Sequence, residues 1–213
     1  MSKNPPEAFN LRMTVYCALF TALIIIGSYI SIPVPIGPVP IVLADFFIMT
    51  AGLFLGCKYG LVSVALYLGL GIIGLPVFAG GKAGLAAFFG PTGGFLAGYL
   101  LLVALVGWIA GKTRPAVLTH ALALMAGTLL LYAAGIPWLK LVTGMAWGAA
   151  LTAGLVPFIP GTIIKIIAVL AVARVLLPQF RQRSGFQQYP RESVSLSHRA
   201  PAADAAPQIN KGD

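Results

Sequence analysis

Asp45 is the only acidic residue between positions 13 and 177 of this chain. Leucine, isoleucine, valine, alanine and glycine fill most of that stretch, interrupted by clusters of glycine and proline. A soluble domain needs a charged outer surface, and a chain with 59% hydrophobic and 9% charged residues cannot provide one. The sequence therefore predicts an integral membrane protein whose function depends on the few polar groups it keeps.

Six apolar runs are each close to the ~20 residues that a helix needs to cross ~30 Å of hydrocarbon. They cover residues 13–32, 39–56, 60–77, 92–111, 116–135 and 160–177. They do not alternate with a period of two, which excludes a β-barrel. We therefore predict an all-α membrane protein with one domain of six transmembrane helices, residues 13–178. Residues 1–12 are predicted to be a cytoplasmic N-terminus, and the polar residues 179–213 a disordered cytoplasmic tail.

The net charge of +9 is explained by membrane topology, and nucleic-acid binding is not expected. With six spans both termini lie on one side of the membrane, and eight cations fall near that side: Lys3, Arg12, Lys58, Lys112, Arg114, Arg174, Arg181 and Arg183. Only Lys82, Lys140 and Lys165 fall near the other side. This asymmetry predicts a multi-pass protein of the bacterial cell (inner) membrane with both termini in the cytoplasm.

The links on the predicted outer side are long, nearly uncharged and rich in glycine and proline: 32–40, 75–91 and 136–159. Exposed outer loops would normally be polar, so we expect these loops to fold back over a ligand cavity. Tight turns at the lipid surface are the alternative. Residues 138–155 are predicted to contain a short helix, with a seventh full span as the alternative.

Three residues on the outer side are candidates for ligand binding. Lys165 lies about one turn into the last predicted span; it either extends to the lipid headgroups or points into the bundle as a hydrogen-bond donor. Asp45 is either a structural acid, for which Lys165 is a possible partner, or a ligand contact. Trp147 is a possible stacking surface for a ligand.

No enzyme constellation is present in the apolar stretch. The sequence has no paired acids there, no Ser–His–Asp set and no phosphate-binding loop, and two isolated cysteines give no metal-ligand spacing. The chain is therefore predicted not to be an enzyme, to hold no metal and to need no cofactor.

Four motifs resemble the BioY family, the biotin-binding S components of energy-coupling-factor (ECF) transporters. They are IPVPIGPVP (32–40), GLPVFAGG (74–81), GPTGG (90–94) and PFIPG (157–161), and the likeness covers roughly residues 10–178. The resemblance implies an ECF S-component-like bundle of six membrane helices with a biotin pocket near the outer face. It also implies docking onto an ECF transmembrane coupling subunit and its ATPase subunits.

The resemblance also implies roles for individual residues. The family's small-residue face on the first helix contacts the coupling subunit, and Ala18 and Ala22 match that pattern. The family's last helix carries the motif Pro-Gly-Asp-x-x-Lys. Lys165 matches its lysine, but Thr162 stands where the Asp is expected. Thr162 can still donate and accept a hydrogen bond, so it stays in the predicted site.

The predicted function is biotin uptake as the S component of an ECF-type transporter. The predicted binding residues are Lys165, Thr162, Asp45, Phe78, Gly80, Gly81, Gly84, Thr92, Trp147 and Gly161. The expected partners are biotin, the ECF subunits and the lipid bilayer, with a homo-oligomer left open. Two alternatives remain: a self-sufficient homo-oligomeric biotin transporter without an ECF module, and a membrane scaffold protein that binds no small ligand.

Overall fold

The computed structural model of the protein describes residues 11–35, 37–113 and 116–184. In this part of the chain nearly all regular structure is helical. The helices are α1 Leu11–Tyr29, α2 Ala44–Ile72, α3 Gly84–Phe89, α4 Gly93–Lys112, α5 Val117–Thr143, α6 Trp147–Gly154 and α7 Phe158–Ser184. A short hairpin of β1 (Ser31–Ile32) and β2 (Ile41–Val42) joins α1 to α2, and a single 3₁₀ turn, Ala79–Gly81, lies before α3.

Helix α2 is a helical hairpin whose chain reverses at Gly56. This residue has φ 73° and ψ −174°, a conformation that glycine adopts readily because it has no Cβ. A Cβ placed on Gly60 would lie 3.5 Å from the carbonyl oxygen of Ala51. In a continuous helix these residues would be ~13 Å apart. The halves of α2, residues 44–55 and 57–72, therefore pack antiparallel and cross the bundle separately.

The bundle has six helical crossings: α1, the two halves of α2, α4, α5 and α7. By length and composition, five apolar stretches among the described residues could span a membrane: α1, α2, α4, α5 and the α6–α7 stretch. Because α2 is a hairpin, these five provide six crossings, and the predicted six-helix membrane fold is confirmed. Helix α6 has eight residues, or ~12 Å, which is too short for a seventh span.

Glycines let the backbones of α2 and α4 approach each other closely. A Cβ on Gly107 would lie 2.4 Å from the backbone nitrogen of Cys57, and one on Gly52 would lie 2.9 Å from Val106. In lipid, where apolar side chains gain little by leaving the solvent, such close packing is a principal source of helix association. The small-residue spacing of the sequence thus serves internal packing here.

The two ends of the bundle differ in structure. Phe180 near the end of α7 contacts Tyr16 of α1 and Phe54 of α2, with ring centroids 4.7 and 5.4 Å apart. This end also carries Lys58 beside the α2 reversal and Lys112 at the end of α4, and we call it the basic end. The opposite end, the loop end, carries the β hairpin, the segment 73–92 (the cap) and the α5–α7 connection.

Two predicted spans end too early. Helix α5 continues past residue 135 to Thr143 with Pro137 inside it. Proline removes one backbone hydrogen bond, but helices in lipid tolerate it where neighbouring groups satisfy the freed carbonyl. Helix α7 continues past residue 178 to Ser184, so the predicted tail begins inside a helix. The rest of that tail and residues 1–10 lie outside the described residues.

Candidate functional site

Lys165 of α7 forms a buried ion pair with Asp45 of α2 at the loop end. Its Nζ donates to both carboxylate oxygens of Asp45 at 2.8 Å and to the carbonyl oxygen of Val42 at 2.6 Å. The side chains of the pair are only 11% and 12% exposed. An ammonium group has three N–H donors, so all of the donors of Lys165 are engaged.

The fold places both charges where they are stabilised. Asp45 lies in the first turn of α2, where the helix dipole favours an acid, and Lys165 lies two turns into α7. Burying either charge alone would be costly, and the pair removes most of that cost. Of the alternatives that the sequence left open, the structure has Lys165 turned into the bundle and Asp45 as its partner.

A narrow cavity of about 40 Å³ lies beside this ion pair, under the cap. Val42 lines the cavity, and its carbonyl oxygen accepts a hydrogen bond from Lys165. The remaining wall comes from three places: Phe78, Ala79, Lys82, Ala87 and Thr92 of the cap, Val39 and Pro40 of the hairpin, and Ser28, Tyr67, Phe95, Leu96 and Tyr99 of the helices. Most of this wall is apolar. Hydroxyl groups and one lysine supply its polar atoms.

Two of the predicted binding residues, Phe78 and Thr92, line the cavity directly. Phe78 is 3% exposed and packs edge-on against Tyr67, with ring centroids 5.6 Å apart. The Thr92 hydroxyl donates to the carbonyl oxygen of Ala87 at 3.3 Å, which holds the connection between α3 and α4 within the cap. Both residues therefore belong to the wall where the cap meets the helices.

Three predicted glycines shape the cap instead of lining the cavity. Gly80, Gly81 and Gly84 have φ of 67°, 76° and 80°, in the left-handed region that residues with a Cβ rarely adopt. Gly80 and Gly81 allow the tight turn in which the Phe78 amide donates to the Lys82 carbonyl at 3.0 Å, and Gly84 begins α3. Their structural role is to fix where neighbouring side chains of the cap point.

Thr162 and Gly161 lie at the start of α7, one turn before Lys165. The hydroxyl groups of Thr162 and Tyr132 are 2.7 Å apart and hydrogen-bonded, which joins α7 to α5. A Cβ on Gly161 would lie 3.8 Å from Ile41, so this glycine faces the β hairpin. Neither residue lines the cavity; both hold the end of α7 beside it.

Trp147 does not line this cavity, and its role as a stacking surface stays a prediction. Its side chain is 55% exposed, and it is absent from the cavity wall. The ammonium of Lys140 lies 5.1 Å from the centre of its ring, a cation–π geometry. The short α6 holds Trp147 on the outer surface of the bundle. The sequence could place it at the loop end but could not show which way it faces.

Several tyrosines near the cavity were missed from the sequence. The hydroxyl of Tyr67 bonds to that of Ser28 at 2.8 Å, and Tyr99 also lines the cavity. No hydrogen bond joins the Tyr99 hydroxyl to another residue in the part of the chain that the structure describes, so it can bond to a ligand. Tyrosine is mostly hydrocarbon and was counted among the apolar residues. Its recurrence inside otherwise aliphatic spans was the available signal.

The predicted partner-binding residues Ala18 and Ala22 are exposed on the outer face of α1. Val15, Leu19 and Ile26 share this exposed face and are 58%, 51% and 55% exposed. The small residues therefore form a shallow depression between larger apolar side chains. No group of three or more metal-ligating side chains occurs within residues 11–35, 37–113 and 116–184.

Comparison with known proteins agrees with this architecture. The BioY family model matches residues 1–182. The chain is 37% identical to a protein of Thermotoga maritima named biotin transporter BioY, over 76% of this chain and 94% of that protein. It is 36% identical to a Lactococcus lactis protein of the same name, over 86% of this chain and 97% of that protein. These relatives are named as transporters, which confirms the prediction that the chain is not an enzyme.

A solved structure has the same fold. It is described as the S-component for biotin from an ECF-type ABC transporter. The TM-score is 0.75 at 34% sequence identity, and the match covers 81% of this chain and 94% of that chain. The family model and the relatives together cover most of the sequence, and this chain therefore belongs to the BioY family.

Proposed function

We propose that the protein takes up biotin across the bacterial cell membrane as the substrate-binding S component of an ECF-type transporter. Membership of the BioY family, relatives named biotin transporter and the fold of a biotin S component support this function. The observation that carries it is the buried Lys165–Asp45 pair beside an apolar cavity under the cap. Charged groups inside a membrane bundle are costly and usually mark a solute site.

The chemistry of the site suits biotin. Biotin has an apolar bicyclic ring with an aliphatic chain, a ureido group that donates and accepts hydrogen bonds, and one carboxylate. The cavity offers aromatic and aliphatic side chains for the apolar parts. Hydroxyl groups such as that of Tyr99 offer donors and acceptors for the polar parts, and the Asp45 carboxylate of the neighbouring ion pair offers acceptors.

We place the loop end outside the cell and the basic end in the cytoplasm. Lys58 and Lys112 flank helix ends at the basic end, and a cytoplasmic excess of Lys and Arg is the general rule for membrane proteins. The cavity then opens toward the side from which a nutrient arrives. A reporter enzyme that is active only in the cytoplasm should therefore be active when it is fused after Ser184.

Binding requires the cap to move. The cavity of about 40 Å³ is far smaller than the roughly 300–1,000 Å³ of typical small-molecule sites. Few side-chain hydrogen bonds hold the cap in place: Tyr29 donates to the Pro76 carbonyl, and Trp138 donates to the Gly90 carbonyl at 3.0 Å. We therefore propose that the cap swings away from α1 to admit biotin.

Calorimetric titration of the detergent-purified protein with biotin tests this function. We expect saturable binding at one site, and Lys165→Ala should weaken it at least tenfold, about 1.4 kcal/mol. Lys140→Ala is the matched control, because Lys140 is at the same end but packs against Trp147. If the wild-type protein shows no saturable binding, the biotin function is wrong and the scaffold alternative is favoured.

Dependence on an ECF module is tested by uptake. We propose that Ala18 and Ala22, exposed on α1, contact the transmembrane coupling subunit. Leucine at both positions should reduce uptake of labelled biotin strongly while the affinity of the purified protein stays within twofold of wild type. Undiminished uptake in a host that lacks coupling and ATPase subunits would instead support the self-sufficient oligomer.

A further inference from the structure

Three lysines lie at the loop end, and each has a different environment. Lys165 is paired with Asp45, and the ammonium of Lys140 lies over the ring of Trp147. Lys82 lines the cavity from the cap, and its side chain is exposed. Within residues 13–177 Asp45 is the only acid, and it is already engaged by Lys165. Lys82 is therefore the cation at the cavity whose charge no acid compensates among the described residues.

The charge of the Lys165–Asp45 pair argues against that pair as the carboxylate site. Both oxygens of Asp45 face the ammonium at 2.8 Å, so the pair is neutral as a unit. A second carboxylate brought to Lys165 would meet the negative charge of Asp45. A neutral group with N–H donors, such as a ureido group, fits this pair better, because the Asp45 oxygens can still accept hydrogen bonds while the donors of Lys165 are engaged.

The cap holds Lys82 at the edge of the cavity. Its backbone is fixed by a tight turn, in which the Phe78 amide donates to the Lys82 carbonyl at 3.0 Å and the Gly81 amide donates to the Phe78 carbonyl at 2.9 Å. The positive φ of Gly80 makes this turn possible. Because Phe78 is buried in the cavity wall, the turn anchors Lys82 beside it.

We propose that Lys82 binds the carboxylate of biotin. The vitamin then lies with its ureido ring toward Asp45 and Lys165 and its acid chain toward the cap. This inference rests on the proposed function and deepens it, because it assigns one residue to one end of the ligand. It also explains how a mostly apolar site selects an acid: Lys82, the cavity cation that no acid compensates within the described part of the chain, lies on the cap that closes over the site.

A cycle of two ligands and two variants tests the assignment. The dissociation constants of biotin and of biotinamide, in which a neutral carboxamide replaces the carboxylate, are measured for wild type, Lys82→Gln and Lys140→Gln. We expect Lys82→Gln to weaken biotin about fivefold, as for a solvent-accessible ion pair, and biotinamide less than twofold. Lys140→Gln should change neither ligand by more than twofold. Higher ionic strength should reduce the selective effect, since salt screens exposed charges.

Two further variants separate the assignment from its rivals. Lys82→Arg keeps the charge and should retain the preference for biotin. Lys165→Met should weaken both ligands to a similar extent, because both carry the ureido ring. The assignment is overturned if Lys82→Gln affects the two ligands equally or not at all, or if only Lys165→Met removes the preference for biotin. Wild-type protein that binds biotin but fails these tests overturns the assignment alone, whereas wild-type protein that binds neither ligand overturns the proposed function with it.

Discussion

The two ends of this bundle are stabilised by different means. At the basic end α2 and α4 meet almost backbone to backbone, with Gly107 against Cys57 and no room for a methyl group. At the loop end the helices are joined by polar side chains, with Lys165 bonded to Asp45 and Thr162 to Tyr132. The contact between α2 and α4 is made by backbone and apolar groups, whereas the loop end contains an ion pair that is costly to bury.

The difference shows which end is specialised for function. Close packing without polar atoms is the least costly way to join helices in lipid. A buried ion pair is seldom more stabilising than an apolar contact of the same volume, so stability alone does not explain it. The ion pair lies at the end that contains the cavity under the cap and most of the glycine and proline loops.

The largest expected effect is loss of the ion pair at the loop end. Lys165→Met leaves the Asp45 carboxylate buried without its partner and should lower the free energy of unfolding by about 3–5 kcal/mol. The double variant Asp45→Asn/Lys165→Met removes both charges and should recover most of that loss without recovering biotin affinity. Thermal unfolding in detergent, paired with calorimetry, measures both quantities. Equal stability of the single and double variants would show that the pair does not couple the two helices.

The next effect concerns the basic end. Gly107→Ala would place a Cβ 2.4 Å from the Cys57 nitrogen, and since backbone cannot move aside easily, we expect a loss of about 1–3 kcal/mol. Gly111→Ala is the matched control on the same helix, because nothing lies within 4 Å of its added Cβ. Only Gly107→Ala should lower the melting temperature, and the folded fraction should keep its biotin affinity. Similar melting temperatures for the two variants would contradict close packing at this end.

The smallest effect separates the two polar contacts of α7. Thr162→Val keeps the shape of the side chain but removes its hydrogen bond to Tyr132, which should cost about 1 kcal/mol. For a domain of this size, that corresponds to a decrease in melting temperature of about 2–4 °C. Thr152→Val on the exposed side of α6 is the control, since its hydroxyl bonds only to its own helix at Gly148. A decrease as large as that of Lys165→Met would show that Thr162 has a larger role than this one hydrogen bond.

Much of the fold was predictable because lipid leaves few choices. Apolar runs of about 20 residues must be helices, and the glycine and lysine near position 57 marked the α2 reversal. The continuation of α5 through Pro137 was not predictable by the same rules, which treat proline as a helix breaker. In a bundle, the neighbours that compensate for proline come from other parts of the chain.

The site was predictable only in part. The isolated charges of Lys165 and Asp45 stood out against an apolar background, but their pairing spans 120 residues and depends on the relative positions of α2 and α7. The position of Lys82 in the cavity wall was missed because a lysine in a loop is usually solvated. Lys82 differs from an ordinary loop lysine because the turn at Phe78 holds it at the cavity. The geometry of this turn depends on tertiary packing.

The reversal at Gly56 has a mechanical consequence. A single residue joins the halves of α2, so the connection is too short for the halves to move apart at this end. Helix α1 is tied to the second half as well, since Thr21 donates to the Ser63 carbonyl and Ser28 bonds to Tyr67. The first three crossings are therefore joined directly to one another. A rocking motion that moved α1 and the second half of α2 as separate bodies would first have to break these two hydrogen bonds.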